Sequence, residues 1–145
     1  MKVVLQRVKK ASVTVEKEEI SKIDEGILVL VGFSKEDTEE KIPEVAKKIV
    51  NLRIFNDDKG IMNLSLLDMD YSILSVSQFT LYADTKKGNR PSYIRAMNGE
   101  KAINLYDKFN DELRKYTNKV FTGVFGTDMK VELINDGPVT ITIEN

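Results

Sequence analysis

Apolar and polar positions alternate with period two near both ends of the chain and switch to helical spacing twice in between. Val3 to Val15 predicts a strand, with Ala11, Val13 and Val15 alternating with Ser12 and Thr14. The charged cluster Glu16-Lys17-Glu18-Glu19 predicts a solvated turn, and Ile20 and Ile23 a returning strand. Gly26 then opens the unbroken apolar run Ile27 to Val31, the mark of a strand covered on both faces. From Asp37 to Arg53 the period changes, and Ile42, Val45, Ala46, Ile49 and Leu52 fall on one face of a helix. Asp37 and Glu40 predict a capping box at its start, and Pro43 is tolerable only near the first turn.

Asn56 to Gly60 carries turn chemistry, Ile61 to Tyr71 fits neither period, and Ile73 to Leu81 predicts another strand. Asp84 to Ser92 reads as a polar loop. Gly99 to Tyr116 predicts the second helix, with Ala102, Leu105, Tyr106, Phe109, Leu113 and Tyr116 as a stripe that core packing explains. Val120 to Phe125 is a short β candidate. Two alternating runs end the chain, Lys130 to Ile134 and Val139 to Glu144. Asp136-Gly137 between them predicts a hairpin turn. Pro138 is out of place in that turn: it opens the second run yet cannot donate to a ladder, which marks an edge or a special site. Strands outnumber the two helices and do not interleave with them regularly, so the expected class is α+β, one domain over residues 1–145.

Composition narrows the chemistry. With 41% hydrophobic and 31% charged residues the chain is ordinary globular protein. A net charge of −1 makes it no generic binder of polyanions, so any nucleic-acid contact needs a local basic patch. There is no Cys and no His. That excludes disulfides, thiolate nucleophiles, Ser-His pairs and His- or Cys-ligated metals. Hydrolysis, if any, must use carboxylates, hydroxyls, Lys, backbone amides or groups of the substrate. A reducing compartment fits the lack of Cys. The first residues contain no long apolar segment, so no signal peptide is expected, and the run from Ile27 to Val31 is far too short to span a bilayer.

Three groups carry candidate chemistry. Ser77, Gln78 and Thr80 set polar side chains around Phe79 at the end of an apolar strand, where they are either bonded to one another or turned to a ligand. There a Gln amide and successive backbone N–H groups suit a developing oxyanion, while Thr80 has no His to activate it as a nucleophile. Lys86, Lys87 and Arg90, with Arg95 nearby, lie on a Gly-containing loop that is either a phosphate holder or a solvated loop. The carboxylates Asp57, Asp58, Asp68, Asp70, Asp84 and Asp128 show no metal-ligand spacing, and most fall in turns.

Ser77-Gln78-Phe79-Thr80-Leu81, Lys87-Gly88-Asn89-Arg90-Pro91-Ser92 and Asn135-Asp136-Gly137-Pro138-Val139-Thr140 together resemble the D-aminoacyl-tRNA deacylase family, historically D-tyrosyl-tRNA deacylase. Gln6-Arg7-Val8, Leu52-Arg53-Ile54-Phe55 and Gly123-Val124-Phe125-Gly126 with Asp128-Met129 extend the likeness over the whole chain, in order. The resemblance implies a barrel-like α+β fold of mixed and antiparallel sheet with two main helices. It implies a homodimeric cytoplasmic hydrolase that cleaves the ester between a D-amino acid and tRNA, accepts glycine and spares L-aminoacyl-tRNA.

Carried over by residue, Gln78, Phe79 and Thr80 are catalytic, and Ser77, Met129 and Ala102 border the substrate. Arg7 supports Gly137-Pro138, a cis peptide reaching into the partner subunit, and Lys86, Lys87 and Arg90 hold tRNA. No metal, cofactor or membrane is implied. The chain departs from the family pattern at Asn89, Tyr93 and Thr127. Three rival readings stay open at this stage: a non-catalytic RNA-binding dimer of the same fold, an editing enzyme for Gly or L-Ala on mischarged tRNA, and an unrelated ester or amide hydrolase using Thr80 with a Lys.

Overall fold

The computed structural model describes residues 1–145. Its organising element is β1 (Lys2–Val15), a strand long enough to serve three neighbours. On one side Lys2 to Val8 pairs antiparallel with β3 (Gly26–Gly32), and beyond Lys9 and Lys10, from Ala11 to Val15, with β2 (Glu18–Ile23). On the other side β8 (Lys130–Glu144) runs antiparallel along nearly all of it. β3 continues the sheet by pairing in parallel with β6 (Ser72–Ser77), and β6 pairs in parallel with β7 (Val120–Thr122). No ladder joins β7 back to β2. The Ser21 hydroxyl instead donates to the Thr122 carbonyl at 2.5 Å and nearly closes a barrel.

β3 is covered on both faces, as its unbroken apolar run requires. One face of the sheet meets α1 (Ile42–Asn51) and α3 (Gly99–Arg114), with Leu5, Val29, Ile49, Ile73, Phe109 and Leu113 in that core. The other face encloses a smaller core of Val8, Ala11, Val13, Ile23, Leu28, Leu74 and Val76. Two more strands, β4 (Phe55–Asn56) and β5 (Met62–Leu64), pair with each other, and α2 (Leu66–Met69) follows with a Ser65/Asp68 capping box. The α+β class with a nearly closed barrel-like mixed sheet and two main helices is thus the observed one.

The local expectations fail in four places, each for a physical reason. The turn before β2 is confined to Glu16 and Lys17, both at positive φ, so Glu18 and Glu19 are already strand. No capping box forms at Asp37, because its carboxylate is taken by the Ser34 N–H at 2.6 Å and the Met1 ammonium at 2.5 Å. A 3-10 turn, Glu39–Lys41, leads into α1 instead. β6 stops at Ser77, and Phe79–Tyr82 is a 3-10 turn, not strand.

The fourth is the hairpin expected at Asp136-Gly137. The chain does not reverse there: β8 passes straight through, and both of its halves pair with β1. Between the Gln6–Thr140 and Val8–Asn135 pairs β1 has one residue, Arg7, while β8 has four, Asp136 to Val139. The turn chemistry is real but serves a large bulge. Period-two alternation on both sides of a turn signal does not reveal whether two runs pair with each other or with a shared third strand.

Candidate active site

The end of β6 creates the site. Gln78 N–H donates to the Val31 carbonyl at 2.8 Å, the last bond that ties this segment to β3. The backbone then leaves the sheet at Gln78 (φ −146°, ψ 86°) and winds into the 3-10 turn. Gly32 makes that exit possible, since a Cβ there would lie 2.6 Å from the Gln78 carbonyl oxygen. Phe79 and Thr80 lead the turn, so their N–H groups have no acceptor within it. Gln78 Nε2 donates to Thr80 Oγ1 at 2.5 Å, which leaves the Thr80 hydroxyl proton free to point elsewhere.

A cavity of roughly 480 Å³ opens against this segment. Ser77, Gln78 and Phe79 form one wall. Ala102 and Gly99 at the start of α3, with Met97, form a second, and Phe125 to Met129 a third. Val31, Val76 and Val131 supply apolar floor. The cavity is held from behind: Tyr106 OH donates to the Ser75 carbonyl at 2.8 Å, tying α3 to β6, and the Tyr106 ring packs on Phe125 with centroids 5.7 Å apart. Burial pushes the Tyr106 phenol up, so it stays a neutral donor.

The expected site residues fall into three places. Ser77, Gln78, Phe79, Ala102 and Met129 meet at the cavity. Thr80 sits next to it, in hydrogen-bond contact with Gln78. Arg7, Gly137 and Pro138 lie elsewhere on the same chain, at the bulge of β8. Lys86, Lys87 and Arg90 lie on a third feature, an exposed loop whose base is closed by backbone bonds between Asp84 and Ser92 at 2.8 and 2.9 Å.

The bulge is built around Arg7, which is buried. Its Nε donates to the Asp136 carbonyl at 2.9 Å and its Nη1 to the Ile54 carbonyl at 2.6 Å. Asn135 completes the loop, accepting from Val139 N–H at 2.7 Å and donating to Thr140 Oγ1 at 3.1 Å. Gly137 has φ +135°, which L side chains rarely adopt, and a Cβ there would lie 3.0 Å from Arg7 Nη2. The Gly137–Pro138 peptide is cis, and both residues are exposed. Around the base of the bulge, Lys9 Nζ bonds Glu25 at 2.8 Å and sits 3.7 Å from the Asp136 carboxylate. The bond to Glu25, then the charge of Asp136, raises the Lys9 pKa, and the bonds from Lys9 and Tyr71 lower that of Glu25.

Sequence reasoning missed Gly32, Met97 and the Phe125 to Asp128 segment as parts of the cavity. Met97 had no polar signal to find. Gly123-Val124-Phe125-Gly126 entered only through the family likeness, and only the fold turns it toward β6.

Family, sequence and fold comparisons each run over nearly the whole chain. The family model described as D-Tyr-tRNA(Tyr) deacylase matches residues 4–144. A D-aminoacyl-tRNA deacylase of Azobacteroides pseudotrichonymphae genomovar. CFP2 is 57% identical over all of this chain and 97% of the relative. One of Staphylococcus haemolyticus is 54% identical over all of this chain and 96% of the relative. A solved structure titled c-Myc DNA Unwinding Element Binding Protein superposes with a TM-score of 0.95 at 47% identity, covering 100% of this chain and 99% of that one. A probable eukaryotic D-amino acid tRNA deacylase shares the fold, with a TM-score of 0.84 at 18% identity and coverage of 98% and 97%. A cavity edged by Ser77, Gln78 and Phe79, a bulge carrying Gly137-Pro138 and a match running from residue 4 to residue 144 lead to one assignment: the chain belongs to the D-Tyr-tRNA(Tyr) deacylase family.

Proposed function

We propose that this protein hydrolyses the ester that joins a D-amino acid to tRNA and leaves the L-aminoacyl ester intact. The observation that carries the reading is the cavity at Ser77, Gln78 and Phe79, on whose rim two backbone N–H groups, of Phe79 and Thr80, lack an acceptor in their own turn. Such groups are suited to the oxyanion that forms when a hydroxyl or water attacks the ester carbonyl. Gln78 orients Thr80 through its amide. An ester is an activated acyl group, so a chain without His or Cys can cleave it without a strong nucleophile of its own. The 2′-OH of the terminal adenosine adjoins the ester and assists the attack, and Thr80 positions rather than attacks.

Gly137-Pro138 discriminates chirality. It lies exposed and outside the cavity of its own chain, so a second copy is needed to bring it to the ester. In the resulting homodimer each bulge, stiffened by Arg7, forms a backbone wall at the cavity of its partner. The wall accepts the amino group of a D-aminoacyl ester and collides with an L side chain. Glycine, with no side chain to collide, is cleaved too. Lys86, Lys87 and Arg90 take the phosphates of the acceptor end.

Incubation of purified protein with D-tyrosyl-tRNA and L-tyrosyl-tRNA tests the reading: the D ester is expected to be lost and the L ester to persist. Hydrolysis of the L ester, or of neither, overturns it. Thr80→Ala tests the mechanism, with a partial loss of turnover expected for a positioning hydroxyl. Near-complete loss in a folded dimer would instead make Thr80 the nucleophile.

A further inference from the structure

An exposed apolar patch lies between the cavity and the basic loop. Phe79 is 56% exposed, Tyr93 40% and Ile94 70%. Phe79 and Tyr93 stand edge to face, centroids 5.1 Å apart and planes at 70°. The backbone that carries Tyr93 and Ile94 is held on both sides. The Asp84–Ser92 bonds fix it before Tyr93, and a turn closes from Ala96 N–H to the Tyr93 carbonyl at 2.9 Å. Beyond it, Lys35 N–H donates to the Arg95 carbonyl at 3.2 Å and Met97 N–H to the Phe33 carbonyl at 2.9 Å. The rings are therefore presented on a fixed frame continuous with β3.

Charge identifies the occupant. The loop closed by Asp84 and Ser92 carries Lys86, Lys87 and Arg90, all exposed and none in an ion pair within the chain. An aromatic ring at the mouth of a pocket, backed by free cations, is the arrangement that binds an unpaired nucleic-acid strand: bases stack on rings while cations follow the phosphates.

We propose that Tyr93, braced by Phe79, is the stacking platform for the unpaired nucleotide next to the terminal adenosine of the RNA. The proposal rests on the aminoacyl-tRNA reading above. It adds a base-binding subsite that lies outside the cavity and is indifferent to the chirality of the amino acid. Tyr93 makes no side-chain hydrogen bond within the chain, so stacking needs its ring and not its hydroxyl.

The test compares the D-tyrosyl ester of adenosine with that of the trinucleotide CCA, which differ only in the nucleotides upstream of the reacting end. The unaltered protein is expected to show a higher kcat/KM on the trinucleotide ester. Tyr93→Ala is expected to lower that preference roughly tenfold, chiefly through KM, as one lost stacking contact does. Tyr93→Phe should retain it. A preference unchanged in Tyr93→Ala, an equal fall on both esters, or a shift of dimer to monomer by sedimentation overturns the platform. A second readout separates this proposal from the one it rests on: fluorescence anisotropy of labelled, uncharged CCA. If no ester is cleaved but CCA binds and Tyr93→Ala weakens binding about tenfold, the deacylase reading falls and the platform stands. If Tyr93→Ala leaves CCA binding unchanged, the platform falls whatever the turnover.

Discussion

Replacing Arg7 by Lys keeps the positive charge at the β8 bulge and removes the planar fork. In the structure the fork holds two carbonyls from different elements, Asp136 at 2.9 Å on the bulge and Ile54 at 2.6 Å just before β4. A Lys ammonium is a compact point on a flexible stem and reaches one of them. The bond lost is charge-assisted, and such bonds contribute about 1.5–3 kcal/mol. Arg7 is buried, so water cannot replace the missing donor freely. A net loss of about 2 kcal/mol follows. Over a urea dependence of about 2 kcal/mol per molar, the unfolding midpoint falls by about 1 M with an unchanged slope. Hydrogen exchange adds a local readout, because the Val139 N–H bonded to Asn135 Oδ1 should exchange faster in Arg7→Lys than in the unaltered protein. Arg7→Met separates shape from charge and should be worse than Arg7→Lys. If Arg7→Lys unfolds within about 0.3 M of the parent and Val139 exchanges normally, the fork does not hold the bulge, and Arg7 does not stiffen the proposed wall at Gly137-Pro138.

Two further outcomes follow from packing and charge. Gly32→Ala should lower stability by about 1–3 kcal/mol, since the new Cβ meets the Gln78 carbonyl oxygen at 2.6 Å and Leu81 Cβ at 3.4 Å. The fall in D-tyrosyl-tRNA hydrolysis should exceed what unfolding explains, because Gln78 itself must move; full activity in the folded fraction would refute the close-approach account. Burial, then the Asp37 carboxylate, pushes the Tyr82 phenol up to about 12. A phenol whose folded pKa lies above its unfolded value near 10 stabilises the protein fully below pH 10, and that contribution disappears as pH rises to 12. At about 1.4 kcal/mol per unit the loss is of the order of 2–3 kcal/mol, read as an alkaline decline in urea midpoint that Tyr82→Phe removes; the same decline in Tyr82→Phe would assign it to another group.

The elements whose pattern depends only on their own length were legible. β3 announced itself as an unbroken apolar run, and α3 as a helical stripe whose Ala102, Tyr106, Phe109 and Leu113 are all buried. What failed was pairing. Asp136-Gly137 has the chemistry of a turn, but β1 is long enough to pair with both halves of β8, which no window around residue 137 contains. The cavity wall was legible where polar residues interrupt an apolar strand, at Ser77 and Gln78. It was not legible where the contribution is shape, as at Gly32 and Met97, or where it depends on which loop the sheet order brings alongside, as at Phe125 to Asp128.

The barrel seam gives the cavity a soft side. β2 and β7 share no ladder, and the Ser21–Thr122 bond stands where a row of backbone bonds would otherwise run. Cooperative opening begins where backbone pairing is sparse. Directly after β7 the chain forms the Phe125 to Met129 wall of the cavity, so breathing of the seam loosens that wall while the β6 side stays anchored by the sheet. A ligand that spans the two walls therefore acts as a staple across the seam. Its binding energy should appear in part as slower amide exchange along β2 and β7, on both sides of the seam.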